Sequence, residues 1–488
     1  MWLNRKASGK TLNKSGACAA FPGAAAAGGR IPADSRLPGL VFGAVVQSGT
    51  RFPSLARRCV PLRLGLAYGG DGTIAFSEWV VRRRGDGRLS LNTPIANSAD
   101  LAGDRAVIAR AEAVRPDVAA ASDEIEGTRR LPPALLDRLH EARLFRLLLP
   151  RSSNGIETDP VTFFHVIETI ARADASTAWC LSQAGGCAMS AAYLDLPVAQ
   201  AIFGDPCAVL AWGPGPKVRA VECEGGYRVT GVWSFASGGR HATWLGAHCP
   251  IFAADGSPRR DANGVALERT MLVRTEDVEW SDIWNTVGLR GTASDQFALN
   301  DFFVRADHSI TREFDRERRE NGPLYRMSNH TCYQVGFAAV ACGIARTALD
   351  NFVETMRNKV PRGAQGSLRD NAVVQSNLAQ AEVNLRAARG YVLQSMADIW
   401  KDLAAGATIT VAQRMNIRMA STHAIHKARE AVDFAYNAAG ASAIFEDHPL
   451  ERRFRDIHTV TQQLQGQLRH FETVGAWMMG VDTDLSFV

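Results

Sequence analysis

The chain has 488 residues, 46% of them hydrophobic and 22% charged, which is ordinary for a globular protein and enough for two or three domains around a large core. Its formal charge of +5 is unevenly spread: residues 1–99 hold 14 Lys/Arg against 4 Asp/Glu, and the remainder holds 41 against 46. A mildly acidic body speaks against nucleic acid as a partner. The nine cysteines form no Cys-x-x-Cys pair and no Cys/His cluster, so neither a metal site nor a disulfide scaffold is expected. No apolar run approaches the roughly 20 residues of a membrane helix, and the chain reads as soluble and cytoplasmic.

Residues 1–99 contain 14 of the 43 glycines, the cluster Arg82-Arg83-Arg84 and little hydrophobic periodicity. They read as a basic, poorly ordered extension; translation begun upstream of the natural start and an Arg-rich transit peptide are the other readings. From about Ala102 the pattern changes. Leu131-Pro132-Pro133 opens a helix with Leu135, Leu136, Leu139, Ala142 and Leu144 at helical spacing. Pro160 starts a second, and Ser176 is expected to cap a third that runs through Trp179 toward Tyr193. This predicts an N-terminal helical domain over 100–205. Short apolar runs such as Tyr227-Arg228-Val229, Trp244-Leu245-Gly246 and Thr270-Met271-Leu272-Val273, separated by Gly, Asp and Pro turns, predict a β domain over 206–310. Helical stretches over 327–357, 371–404, 409–440 and 459–480 then predict a helical bundle over 325–488.

Three segments stand out in this order. The first is Val232-Trp233-Ser234-Phe235-Ala236-Ser237-Gly238-Gly239-Arg240-His241. The second is Val287-Gly288-Leu289-Arg290-Gly291-Thr292-Ala293-Ser294-Asp295, and the third is His448-Pro449-Leu450-Glu451-Arg452-Arg453-Phe454-Arg455-Asp456. Together they resemble the acyl-CoA dehydrogenase superfamily, closest to its flavin-dependent monooxygenase branch. The resemblance runs from near residue 100 to the end. It implies an α+β fold with an N-terminal helical domain, a middle β-barrel or sandwich and a C-terminal four-helix bundle. It also implies a flavin (FMN or FAD) and a homo-oligomer, dimer or tetramer. The chain has no Gly-x-Gly-x-x-Gly turn for NAD(P)H, which fits electrons delivered by a separate flavin reductase.

A flavin needs a flat slot with apolar walls and hydrogen bonds to its ring edges. Trp233 and Phe235 offer ring faces, Ser237 a hydroxyl, and Gly238-Gly239 a close backbone approach; an aromatic hairpin of the core is the other reading of the same residues. In the monooxygenase branch the Ser of a Ser-Gly pair steadies the flavin once oxygen has added, which matches Ser237-Gly238. Trp212 and Gly213 fall where the superfamily places its first flavin-facing loop. His241 lies within reach of the same pocket as a neutral-pH donor or base, or stands as a structural turn residue. Arg290 is expected to shape a turn by holding Asp295 or Asp301, with a substrate anion as the other reading.

The window after Arg455-Asp456, where acyl-CoA dehydrogenases carry a catalytic Glu, reads Thr461-Gln462-Gln463-Leu464-Gln465 here, and glutamine is no base. The His that the monooxygenases place there is also absent, and His458 is the nearest candidate. A second expected His aligns with Cys187. The adenylate-gripping segment of FAD-holding relatives is replaced by Arg357-Asn358-Lys359-Val360-Pro361-Arg362-Gly363, where Lys359 and Arg362 remain as phosphate partners. The favoured function is a reduced-flavin monooxygenase acting on an aromatic or other hydrophobic small molecule. The alternatives are an acyl-CoA dehydrogenase with a relocated base and a catalytically silent scaffold.

Overall fold

The computed structural model describes residues 100–261, 264–311 and 317–485, so the basic extension lies outside the described residues. Five helices come first: α1 (Arg105–Thr128), α2 (Pro133–Glu141), α3 (Pro160–Ala171), α4 (Ala175–Ala188) and α5 (Leu196–Phe203). Prolines at the first turns of α2 and α3 suit positions whose N–H has no intrahelical partner. The cap of α4 is Asp174, whose carboxylate takes the Thr177 N–H at 2.6 Å, and not Ser176 as expected. Ser176 sits inside the first turn and accepts the N–H of Gly291 instead.

Eight strands follow: β1 (Leu210–Gly213), β2 (Arg219–Cys223), β3 (Gly226–Ala236), β4 (Trp244–Phe252), β5 (Glu268–Arg274), β6 (Glu279–Ser281), β7 (Asp295–Arg305) and β8 (Ser309–Ile310). They form one mixed sheet in the order β6-β7-β3-β2-β4-β5-β8, with β1 beside β4. Backbone hydrogen bonds leave β6 and β8 as the ends of the path. The sheet wraps its own core, in which Trp233, Phe297, Met271 and Leu245 are fully buried. Truncating Trp233 or Phe297 there would cost about 3–5 kcal/mol.

The C-terminal region holds α6 (Asn329–Met356), α7 (Ala372–Ala404), α8 (Val411–Ala439), α9 (Pro449–Gln462) and α10 (Arg469–Met478). Among the described residues α6 alone has the length and hydropathy to cross a membrane, yet it is the buried centre of the helical region, packed on α3, α4, α8 and α9. Its glycines allow that closeness: a Cβ on Gly343 would stand 2.5 Å from the Cβ of Ala171. The stretch expected over 459–480 is corrected to two helices. α9 starts at Pro449 because His448 caps it through its Nδ1. It ends where Gly466 folds back to within 2.8 Å of the Thr461 carbonyl, measured from the position a Cβ would take.

Candidate active site

The register of β3 against β7 shifts between Trp233 and Ala236, so the end of β3 bulges. Phe235 sits in that bulge with φ +63°, and its side chain is turned out to 58% exposure. Trp284 meets it edge-on, with ring centroids 6.0 Å apart. Trp280 lies over Gly239, within 2.6 Å of where a Cβ would be. These rings make an apolar shelf at the bulge, and Val232, Ile283 and Val287 in the same segments are exposed as well.

The other aromatic residues singled out in the sequence are inside. Trp233 is fully buried, stacked on Phe297 at 5.2 Å, and its indole N–H donates to the His248 carbonyl at 3.1 Å. Trp212 is buried and stands edge-on to His248. Gly213 is pressed against β3, where a Cβ would fall 1.9 Å from the Ser234 carbonyl oxygen. Trp212, Gly213, Trp233, Phe235 and Ser237 are therefore brought together, but only Phe235 presents an open ring face.

Ser237 is buried in a chain of polar contacts. The Trp179 indole N–H donates to its Oγ at 3.0 Å, and its Oγ lies 2.7 Å from the Ser294 Oγ. Ser294 in turn lies 2.8 Å from the Thr292 Oγ1, which donates to the Leu289 carbonyl at 2.9 Å. Behind Trp179, Phe337 stacks on its ring at 4.0 Å, Tyr333 stacks on Phe337 at 5.8 Å, and the Tyr333 hydroxyl reaches the Cys187 Sγ at 3.6 Å. Tyr333 and Phe337 escaped sequence reasoning. Their spacing of four on α6 was the available signal, hidden in the mostly apolar first half of that helix.

His241 follows the bulge in a short turn. Phe145 lies 5.5 Å from its ring, and its Nε2 is shut off from solvent without a hydrogen-bond partner. Burial, with His140 nearby as a lesser cause, pushes its pKa down to about 3, so the ring is neutral. Arg240 holds Asp295 at 2.6 Å and Asp282 at 3.1 Å.

The Gly288–Thr292 turn fastens the sheet to the helices. Leu289 and Ala293 both lie in the left-handed region. The Leu289 N–H donates to Asp456 of α9 at 2.7 Å, and a Cβ on Gly288 would fall 2.3 Å from the Arg455 carbonyl oxygen. Arg290 pairs with Glu126 at 3.5 Å, which corrects the expected partners, since Asp295 belongs to Arg240 and Asp301 lies 3.9 Å from Arg228. Burial raises Asp456 to about 7, opposed by the Leu289 N–H and the Arg453 guanidinium.

His458 stands apart from this cluster. It pairs with Asp433 of α8 at 2.8 Å and leans on Phe454, and among the described residues no hydrogen bond or ring contact links it to Ser237. In the window beyond it, Gln465 accepts from the fully buried Arg418, whose pKa burial lowers to about 9. Arg362 is exposed in the turn between α6 and α7, while the Lys359 ammonium turns inward to the Ala439 carbonyl and the Ser442 hydroxyl. Two open cavities lie elsewhere, about 510 Å³ between α7 and α8 and about 400 Å³ beside Arg269 and Arg319.

Residues 335–466 match the family described as acyl-CoA dehydrogenase, C-terminal domain. The oxygenase subunit HsaA of a flavin-dependent monooxygenase from Rhodococcus jostii (strain RHA1) is 29% identical over 357 residues, 72% of this chain and 91% of that protein. The indole-3-acetate monooxygenase of Pseudomonas putida is 28% identical over 359 residues, 73% and 89% of the two chains. Among solved structures, the 3-HSA hydroxylase from Rhodococcus sp. RHA1 superposes with a TM-score of 0.72 at 27% identity, covering 78% of this chain and 98% of that one. XiaF from Streptomyces sp., in complex with FADH2 and glycerol, gives a TM-score of 0.71 at 25% identity and covers 78% and 96%. The resemblance carried by the three sequence segments holds: the C-terminal region matches the acyl-CoA dehydrogenase family, and the proteins the chain is similar to over most of its length are flavin-dependent monooxygenases.

Proposed function

We propose that this chain is the oxygenase component of a reduced-flavin monooxygenase that hydroxylates an aromatic or other hydrophobic small molecule. The observation that carries the reading is the buried Ser237 hydroxyl, held from two sides at the foot of an exposed apolar shelf. These residues fit a flavin, because Phe235 and Trp284 offer apolar ring surface and Ser237 a fixed polar atom beside it. Reduced flavin would supply the two electrons that activate oxygen. The protein's part is to wall the ring with Phe235, Trp280 and Ile283, to hold Ser237 at its edge, and to exclude water from the Trp179–Phe337–Tyr333 side. In this reading His241, whose Nε2 has no hydrogen-bond partner among the described residues, would give or take one proton once a ligand is bound. Arg362 would meet flavin phosphate on a neighbouring copy, so the active form is a homo-oligomer, with a separate reductase as the source of FMNH2 or FADH2. The oxygenase subunits and oxygenase components among its relatives support that partnership.

The dehydrogenase alternative needs a carboxylate facing the ring. Asp456 borders the window, but it is buried and committed to the Leu289 N–H. The deciding experiment mixes the protein, loaded with reduced FMN or reduced FAD, with oxygen in a stopped-flow instrument. A delayed return of the oxidised-flavin spectrum, with hydroxylated product when an aromatic acceptor is present, supports the proposal. Immediate return with one hydrogen peroxide per flavin, and reduction of bound oxidised flavin by acyl thioesters, would replace it with dehydrogenation.

A further inference from the structure

The contacts around Ser237 have a direction. An indole N–H only donates, so Trp179 occupies one lone pair of the Ser237 Oγ. A backbone carbonyl only accepts, so Thr292 spends its single hydroxyl proton on Leu289. Thr292 can then only accept from Ser294, and Ser294, its proton spent, can only accept from Ser237. Ser237 is left with no proton to offer and one lone pair open. The reverse orientation would make Thr292 give up the Leu289 carbonyl, an acceptor it shares with the Trp284 indole N–H at 3.0 Å. It would also leave the Ser237 proton without an acceptor among the described residues, one hydrogen bond fewer in all.

We infer that Thr292 and Ser294 are positioning residues that turn Ser237 into an acceptor, so that the site selects the reduced flavin over the oxidised one. The inference rests on the flavin reading above. Reduced flavin carries a hydrogen on its central ring nitrogen and can donate to the open lone pair; oxidised flavin has a bare nitrogen there and meets lone pair with lone pair. An oxygenase supplied by a separate reductase gains from this polarity, because it captures the reduced form from a mixed pool and releases the oxidised form after turnover. Chains of hydroxyls polarise one another, so the bias is a property of all three.

The test measures dissociation constants of reduced and oxidised FMN, the former anaerobically, and the midpoint potential of bound FMN. Thr292→Val keeps the shape and removes the hydroxyl, Ser294→Ala breaks the chain one step later, and Thr292→Ser keeps the hydroxyl. In Thr292→Val and Ser294→Ala the Ser237 proton is released toward the ligand. Each should lower the preference for reduced over oxidised FMN by about fivefold to tenfold, the worth of one hydrogen bond. At tenfold the potential falls by about 30 mV. Thr292→Ser should stay at the wild-type ratio, a rescue that a purely structural role does not predict. Thermal unfolding of each variant separates misfolding from altered preference, and the two independent removals guard against the loss of either one. Unchanged ratios in both removal variants, with flavin bound normally, would overturn the inference alone. A wild-type protein that binds neither form of FMN nor FAD would overturn the functional reading and the inference with it.

Discussion

Gly288→Ala tests whether the turn before β7 is clamped onto α9. The new Cβ would fall 2.3 Å from the Arg455 carbonyl oxygen, 2.4 Å from its carbon and 2.7 Å from the Asp456 nitrogen. All three are backbone atoms of a helix and cannot rotate away, so ordinary contact requires the two segments to separate by about 1 Å. Overpacking of this kind costs about 1–3 kcal/mol. The same movement stretches the 2.7 Å bond from the Leu289 N–H to Asp456 beyond hydrogen-bonding range, which removes about 1.5–3 kcal/mol. Asp456 titrates near 7, so at neutral pH that bond is only partly to a carboxylate and its lower value applies.

The expected loss is therefore about 2.5–4.5 kcal/mol, read by urea unfolding against Gly127→Ala as the control. Gly127 lies in the last turn of α1 with nothing within 4 Å of a Cβ, and alanine there should be neutral or stabilise by up to about 1 kcal/mol. The turn also carries Thr292 and Ser294, so Gly288→Ala should weaken flavin binding as well, and Gly127→Ala should not. A Gly288→Ala protein within about 1 kcal/mol of wild type would refute the clamp, whatever its activity.

Ser237→Ala leaves the Trp179 N–H and the Ser294 hydroxyl short of a partner; it should cost about 1–3 kcal/mol in unfolding assays and raise hydrogen peroxide released per oxygen consumed, and unchanged coupling would remove Ser237 from the site. His241 has a folded pKa near 3, below that of an unfolded histidine. Its contribution is present above about pH 6.5 and is lost as the pH falls toward 3, at up to about 1.4 kcal/mol per pH unit. His241→Gln should flatten that acid limb, and an unchanged limb would show the ring to be solvated. Gln465→Ala strips the buried Arg418 of an acceptor and should cost about 1.5–3 kcal/mol, while Gln465→Glu keeps the acceptor and the stability; equal unfolding curves for both variants would break that assignment.

What the sequence made legible was local. Pro133 and Pro160 mark the starts of α2 and α3, and the stretch expected over 371–404, between the breaks at Pro361 and Gly406, lies within a residue of α7 at both ends. Ser176 reads as a cap because Ser is a good one, but Asp174 two residues earlier outcompetes it, and that choice depends on which carboxylate the Thr177 N–H can reach. The misplacement of α9 has a similar cause: the helix is capped by the ring of His448, a residue with no strong capping signal. Arg290 reads as a partner of acids close in the chain, whereas its partner Glu126 is on α1, more than 160 residues away. Within the site, the Trp233 to Ser237 motif was readable as a unit, but which ring faces outward was not. The bulge at Phe235 decides it, turning Phe235 out while Trp233 stays in the sheet core.

Ser237 lies just past the end of a bulged strand, beside a left-handed Phe235, and helices fix its position. Trp179 on α4 holds it from one side. From the other, Ser294 and Thr292 extend from a turn whose backbone is fastened to Ser176 of α4 and Asp456 of α9. The hydroxyl is thus referenced twice to α4 and once to α9, besides the strand that carries it. Among the described residues the ring contact of Phe235 is with the edge of Trp284. A site with a rigid polar atom and a loosely held aromatic wall separates its two tasks: the cofactor's ring edge is met by geometry that does not adjust, and the apolar shelf adapts to the molecule being oxidised. Substitutions at Phe235 should accordingly change which aromatic acceptors are hydroxylated, and substitutions at Thr292, Ser294 or Trp179 should change how the flavin behaves whichever acceptor is present.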